Sequence, residues 1–258
     1  MFNEQEVVDL VVYAGKLMLE SGSEIYRSEE TMVRIAASYG IKDLDIFTLA
    51  TCIYVTCEVD GNSYTRIKRV YPQATNLTRI SQINQLSRDL SVNLIPVKEC
   101  KERLKEIEGK PRAKKQTVAL TMAMACAVFA YMLQGCNLQD FIWTAVISYF
   151  SYWLLDWLNR YPSIHLMVKN TLVTIFISIC SIICVESGLG SNIDDLIVGC
   201  IMLLVPGVAI TNAVRDLLNG DILSGTIRAI EAVVIATGIA LGGGIVLFLY
   251  KHGIGGIL

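Results

Sequence analysis

Between residues 206 and 231, a chain otherwise sparing of polar groups gathers Pro206, Gly207, Thr211, Asn212, Arg215, Asp216, Asp221, Arg228 and Glu231. Pro206 cannot donate to the Met202 carbonyl, and its ring pushes that helical turn open. Gly207 adds backbone freedom at the same point. The expectation is a helix that stops and restarts. A fresh helical amino terminus exposes free N–H groups and a partial positive charge of ~0.5, which suits it to an anionic group such as a carboxylate. Thr211 and Asn212 add uncharged hydrogen-bonding groups one turn on. The alternative is a proline kink satisfied by neighbouring helices.

The charges that follow have two readings as well. Arg215, Asp216, Asp221 and Arg228 frame a short loop containing Gly220 and Gly225: either a turn with solvated charges or a gate whose ion pairs exchange. Glu231 begins an apolar run, and Asp156 ends another among Tyr152, Trp153 and Trp157. A carboxylate in such a place either carries a proton or snorkels to an interface.

A second cluster lies far upstream. Glu20, Gly22, Glu24, Arg27, Glu29 and Glu30 surround a helix–helix corner, with Arg27 spaced to pair with Glu24 and Arg34 with Glu30. Spacing alone allows a structural corner or a binding site. Other chemistries are excluded. The two histidines, His165 and His252, and eight cysteines without a Cys-x-x-Cys pair give no metal site and no cofactor site. The spans carry no His-Glu-x-x-His, Gly-x-Ser-x-Gly or paired-aspartate signature, so an enzyme is not expected. A net charge of −2 gives no hint of a nucleic-acid partner.

The elements that position these residues fall into two kinds. Residues 1–115 hold 17 of the 22 basic and 16 of the 24 acidic residues. Beyond Lys114-Lys115 come apolar stretches near the ~17–25 residues that match bilayer hydrocarbon. The expected fold is a membrane protein with a small cytoplasmic α+β domain, 1–113, and a transmembrane helical domain, 114–258. Five spans are placed at about 116–135, 141–158, 165–186, 196–214 and 230–250. Lys101, Arg103, Lys105, Lys110, Arg112, Lys114 and Lys115 precede the first span, which puts the amino-terminal domain in the cytoplasm and the carboxy terminus outside. The first residues are acidic and polar, unlike a cleavable secretory signal.

Within the first part, Val7, Val8, Val11, Ala14 and Met18 mark one face of a helix over 4–20, with Glu6, Asp9, Lys16 and Glu20 mostly away from it. Gly22 ends that helix. Ser23 is placed to cap the next, which carries Ile25, Met32, Ile35 and Ala36 inward and stops at Gly40. Period-two alternation through Ile53, Val55, Cys57 and Val59, an Asp60-Gly61 turn and a returning strand over 63–70 make a hairpin. Helices follow over 76–90 and from Pro96 to 107, with a hinge at Gly109-Lys110-Pro111. In the last span, Gly238 and Gly242 permit close helix approach, to a helix of this chain or of another subunit.

The segment Ala14-Gly15-Lys16-Leu17-Met18-Leu19-Glu20-Ser21-Gly22-Ser23-Glu24, running into Tyr26-Arg27-Ser28-Glu29-Glu30, resembles one family motif. Pro206-Gly207-Val208-Ala209-Ile210-Thr211-Asn212-Ala213-Val214-Arg215-Asp216, with Asn219-Gly220-Asp221 and Gly225-Thr226-Ile227-Arg228, resembles a second. Both, in this order, are similar to the amino-terminal component of the threonine/serine exporter family, including its split YjjP-like members. The resemblance implies a bacterial cytoplasmic-membrane exporter of small carboxylates: threonine and serine, or dicarboxylates such as succinate. It also implies a separate small membrane subunit as partner, because fused members append a membrane segment that is missing before Leu258. On this reading 206–228 lies on the translocation path and the Glu20–Glu30 corner has a role in gating. The competing reading is a membrane-anchored regulatory or assembly protein whose cytoplasmic domain binds a ligand or partner.

Overall fold

Asn3 accepts from the Gln5 N–H at 3.1 Å and so satisfies one of the open donors at the start of helix α1 (Glu4–Glu20). The computed structural model describes residues 3–59, 62–71, 75–111, 113–134 and 137–254. The expected Asp60-Gly61 turn lies outside the described residues. Ten α-helices and one three-stranded sheet are described, and the chain divides into two compact units.

The first unit comprises Met1–Pro111 together with Val208–Ile230. Its centre is α1, with Val7, Leu10, Val11, Ala14, Leu17 and Met18 all nearly inaccessible. Burial wraps around this helix instead of following one stripe, because helices and sheet pack on it from several sides. Glu20, expected on the outer face, is therefore buried too, with Lys16 at 3.5 Å. Gly22 takes φ +81°, and the Ser23 N–H reaches back to the Met18 carbonyl at 3.1 Å, a glycine stop of the expected kind. Helix α2 (Ile25–Ser38) buries Ile25, Met32, Ile35 and Ala36. At Gly15 a methyl group would stand 2.2 Å from the Met32 sulfur, so the buried Met32 side chain fills the space over this glycine and would have to shift for any larger residue. Gly40 ends α2 at φ +89°.

The sheet is an antiparallel meander, β1 (Leu44–Leu49), β2 (Cys52–Val59) and β3 (Asn62–Arg69), with Val55 facing Ile46 on one side and Arg66 on the other. Ile53, Val55 and Cys57 are buried, as the alternation requires. The first strand, β1, was not foreseen. Helices α3 (Leu77–Val92, capped by Asn76) and α4 (Val97–Gly109, preceded by Pro96) complete the contiguous part. The rest of the unit is most of α9 (Gly207–Leu218) and the start of α10 (Ile222–Leu249).

The second unit, Arg112–Gly207 with Glu231–Leu258, contains α5 (Lys115–Gln134), α6 (Leu138–Leu158), α7 (Leu166–Glu186), α8 (Ile193–Ile201) and the remainder of α10, followed by a π-helical turn, Tyr250–Ile254. Three described helices are long and apolar enough to cross a membrane: α5, α7 and α10 with its π-turn. Helix α6 has 21 residues, with Asp140, Asp156 and three tryptophans among them. At 1.5 Å per residue, α8 extends only ~14 Å, about half of a ~30 Å hydrocarbon core. In the last helix, Gly238 and Gly242 meet α7 of this same chain. A methyl group would come within 2.6 Å of the Met167 carbonyl at Gly238 and 2.5 Å of the Thr171 carbonyl at Gly242, and the Thr171 hydroxyl donates to the Gly238 carbonyl at 2.9 Å.

Candidate functional site

The two polar clusters, separated by about 190 residues of sequence, meet inside the first unit. Where α1 ends, the backbone turns through Gly22 and leaves carbonyls and a helix start without intrahelical partners. Side chains of α9 and α10 supply them. The Asn212 amide donates to the Gly22 carbonyl at 3.0 Å, and Arg228 donates to the Ser23 carbonyl at 2.9 Å. At the amino terminus of α2, the Ile25 N–H donates to the Asp216 carboxylate at 3.3 Å. Ser23, expected as the cap of α2, instead directs its hydroxyl to the Glu24 carbonyl at 3.3 Å. The negative charge at this helix start thus comes from Asp216.

Around that contact the charges alternate. Glu24, 6% exposed, bonds Arg215 and lies 3.5 Å from Arg27. Asp216 is fully buried, and its second carboxylate oxygen faces an Arg228 nitrogen at 3.2 Å. That approach is close enough for an ion pair, yet its angle is not that of a hydrogen bond, so neither atom is fully satisfied. Burial pushes the Asp216 carboxyl up from its ordinary value; Arg228 and the Ile25 N–H pull it down, while Asp221 and Glu24 raise it. Asp221 is raised by burial and lowered by Arg228. Burial also raises Glu29, with a smaller contribution from Asp221. Glu30 remains outside this knot, on Arg34 at 2.5 Å.

At Pro206 the backbone breaks. Helix α8 ends at Ile201 and α9 starts at Gly207. Between them, the Leu204 and Val205 N–H groups fold back on the Ile201 carbonyl at 2.8 and 3.2 Å, and Gly207 donates to the Val205 carbonyl at 2.9 Å. Thr211 bonds the Val208 carbonyl within α9 at 3.0 Å.

In the second unit, Asp156 bonds Lys115 at 2.7 and 2.8 Å, with Arg160 at 4.0 Å. Glu231 is exposed. Reading the sequence missed three features here. Asp140, 1% exposed, accepts from the Ser191 N–H at 2.7 Å. Lys169, 7% exposed, reaches Asn159 at 3.3 Å. A buried hydroxyl and amide seam runs through Thr144, Ser148 and Ser151 of α6 and Asn170, Thr174, Ser178 and Ser181 of α7. Its three-and-four spacing was legible, but small hydroxyl residues are also ordinary in membrane helices. Among the described residues, no group of three or more His, Cys, Asp or Glu is arranged to hold a metal ion.

Residues 9–250 match the family model described as "Putative threonine/serine exporter". The chain is 22% identical over 230 residues to the "Probable succinate transporter subunit YjjP" of Escherichia coli K12, covering 87% of each chain. It is 22% identical over 232 residues to the protein of that name in Klebsiella aerogenes, covering 87% of this chain and 86% of the other. Similarity to the "Probable threonine/serine exporter" of Mycobacterium tuberculosis is also 22%, over 242 residues, covering 92% of this chain but 45% of that longer protein. No solved structure matches the chain.

Proposed function

The chain belongs to the threonine/serine exporter family, and on that premise we propose that it is one component of a secondary exporter moving small carboxylates out of a bacterial cytoplasm, coupled to protons. Its working partner is a separate small membrane subunit, as the word "subunit" in the names of two relatives suggests. The amino-terminal domain is cytoplasmic, and the five membrane passages are α5, α6, α7, a fourth from α8 into α9 over about 196–214, and a fifth in α10 over about 230–250.

The observation that carries this reading is the interruption at 202–206. A membrane anchor has no use for a helix that ends after nine residues and restarts at a Pro-Gly step; a carboxylate path does. The amino-terminal turn of α9, with its partial positive charge, receives the carboxylate, and Thr211 lines the approach. Asn212, already bonded to Gly22, links that helix to the α1–α2 corner. Asp156 or Glu231 takes the proton, and the ion pairs of Arg215, Asp216, Asp221 and Arg228 form the gate. Glu20, Gly22, Glu24, Arg27, Glu29 and Glu30 belong to the same gate from the other side.

The test is to heal the break. Pro206→Ala with Gly207→Leu restores helix-forming residues across the interruption. In vesicles containing both subunits, flux of labelled threonine, serine and succinate should fall to background while the protein stays folded. Full flux in the healed variant contradicts the proposed path.

A further inference from the structure

Helices α2 and α3 are parallel and in step. Three side-chain contacts join them, Thr31 to Asn84 at 2.7 Å, Arg34 to Ser87 at 3.5 Å and Ser38 to Ser91 at 3.4 Å, each linking residues 53 positions apart. Beside this seam lies an open groove of about 420 Å³, a volume suited to a small metabolite. Its arginines sit towards the ends, with Glu30 between them on α2 and paired with Arg34. Arg27 stands at one end and, seven residues or ~10 Å further along α2, Arg34 stands at the other, level with Arg88 of α3. Ser81 and Asn84 offer hydrogen bonds between them, and Glu30 is the one acidic residue of the lining.

Not all of this positive charge is neutralised. Arg34 pairs with Glu30 at 2.5 Å, and Arg27 shares Glu24, at 3.5 Å, with Arg215. Arg88 bonds only the neutral Gln85 amide, at 2.7 Å, among its recorded contacts. Guanidinium groups are planar forks matched to carboxylates. Two such ends with hydrogen-bonding side chains between them suit an elongated anion charged at both termini.

We infer that the α2–α3 groove is a binding site for a small dicarboxylate, with Arg27 at one end and Arg34 with Arg88 at the other. The site is distinct from the helix interruption at Pro206 and stands whether or not the chain exports. It also has a route to the corner. A ligand carboxylate on Arg27 competes with Glu24, the residue that holds Arg215.

Calorimetric titration of the full chain in detergent tests this, with succinate, butyrate and inorganic phosphate as probes. Succinate should bind saturably, while butyrate, lacking one charged end, and phosphate, too short to span the groove, should bind at least about tenfold more weakly. Arg88→Gln, at an exposed position, should weaken succinate by about tenfold or more, and Arg27→Gln likewise, whereas Arg103→Gln on α4 should leave it unchanged. Absence of saturable succinate binding overturns the inference, as does equal affinity for butyrate or phosphate. Succinate binding that survives both Arg27→Gln and Arg88→Gln places the ligand elsewhere and overturns it too, without bearing on export.

Discussion

Replacing Arg228 by Met tests how the α1–α2 corner is held. The Arg228 side chain is 11% exposed, lies 3.2 Å from the fully buried Asp216 carboxylate, and donates to the Ser23 carbonyl at 2.9 Å. Met fills a similar volume but leaves the carboxylate with the Ile25 N–H at 3.3 Å as its remaining recorded donor. Removing one partner of a buried pair costs about 3–5 kcal/mol. The lower end applies, because a carboxyl already raised by burial can take up a proton instead of staying an isolated anion. A loss of about 3 kcal/mol corresponds to roughly a hundredfold increase in local opening, read by hydrogen exchange of the amides in the first turn of α2. Asp216→Asn added to Arg228→Met removes the stranded charge, so the double variant should exchange more slowly than Arg228→Met alone. Exchange in Arg228→Met within about threefold of wild type, or a double variant worse than the single, would refute this reasoning.

Three further outcomes follow from other parts of the structure. Asp216, Asp221 and Glu29 are all raised, by burial first, so between their ordinary and raised values the folded chain holds more protons than the unfolded one. Stability of the first unit should therefore be highest below that window and fall as pH rises through it, with a shallower slope in Asp216→Asn; denaturant melts across the acidic range check the sign. Gly22→Ala places a side chain at φ +81° and its Cβ 3.1 Å from the Thr75 hydroxyl, and should cost about 1–2 kcal/mol by the same melts. Gly242→Ala sets a methyl group 2.5 Å from the Thr171 carbonyl, and should destabilise the α7–α10 packing by about 1–3 kcal/mol, seen as a lower melting temperature in detergent.

Much of the local structure was legible because local chemistry determines it. The bounds of α1, the glycine stops at Gly22 and Gly40, and the interruption at Pro206 follow from caps, left-handed glycines and a missing N–H. Strand β1 was not legible. It is six residues long, follows the charged Lys42-Asp43, and leaves Phe47 more than half exposed, so its alternation is weak. Pairing across the chain was hidden as well. Arg215, Asp216 and Arg228 look like loop charges until Glu24, Ile25 and Ser23 are brought beside them, and no spacing rule reaches across 190 residues. Ser23 and Glu20 were misjudged for the same reason: each was read from its own helix, whereas Asp216 caps α2 and packing on every side buries α1. That the first unit takes back Val208–Ile230 could not be read from hydropathy, which joins the segment to its apolar neighbours.

The most direct test of the central claim is flux in sealed vesicles containing this chain and the proposed partner subunit, each loaded with labelled threonine, serine or succinate. An imposed proton gradient should drive at least one of these carboxylates across the membrane, and flux should vanish when either subunit is left out. If none of the three moves under any ion gradient, the assignment as an exporter component is wrong.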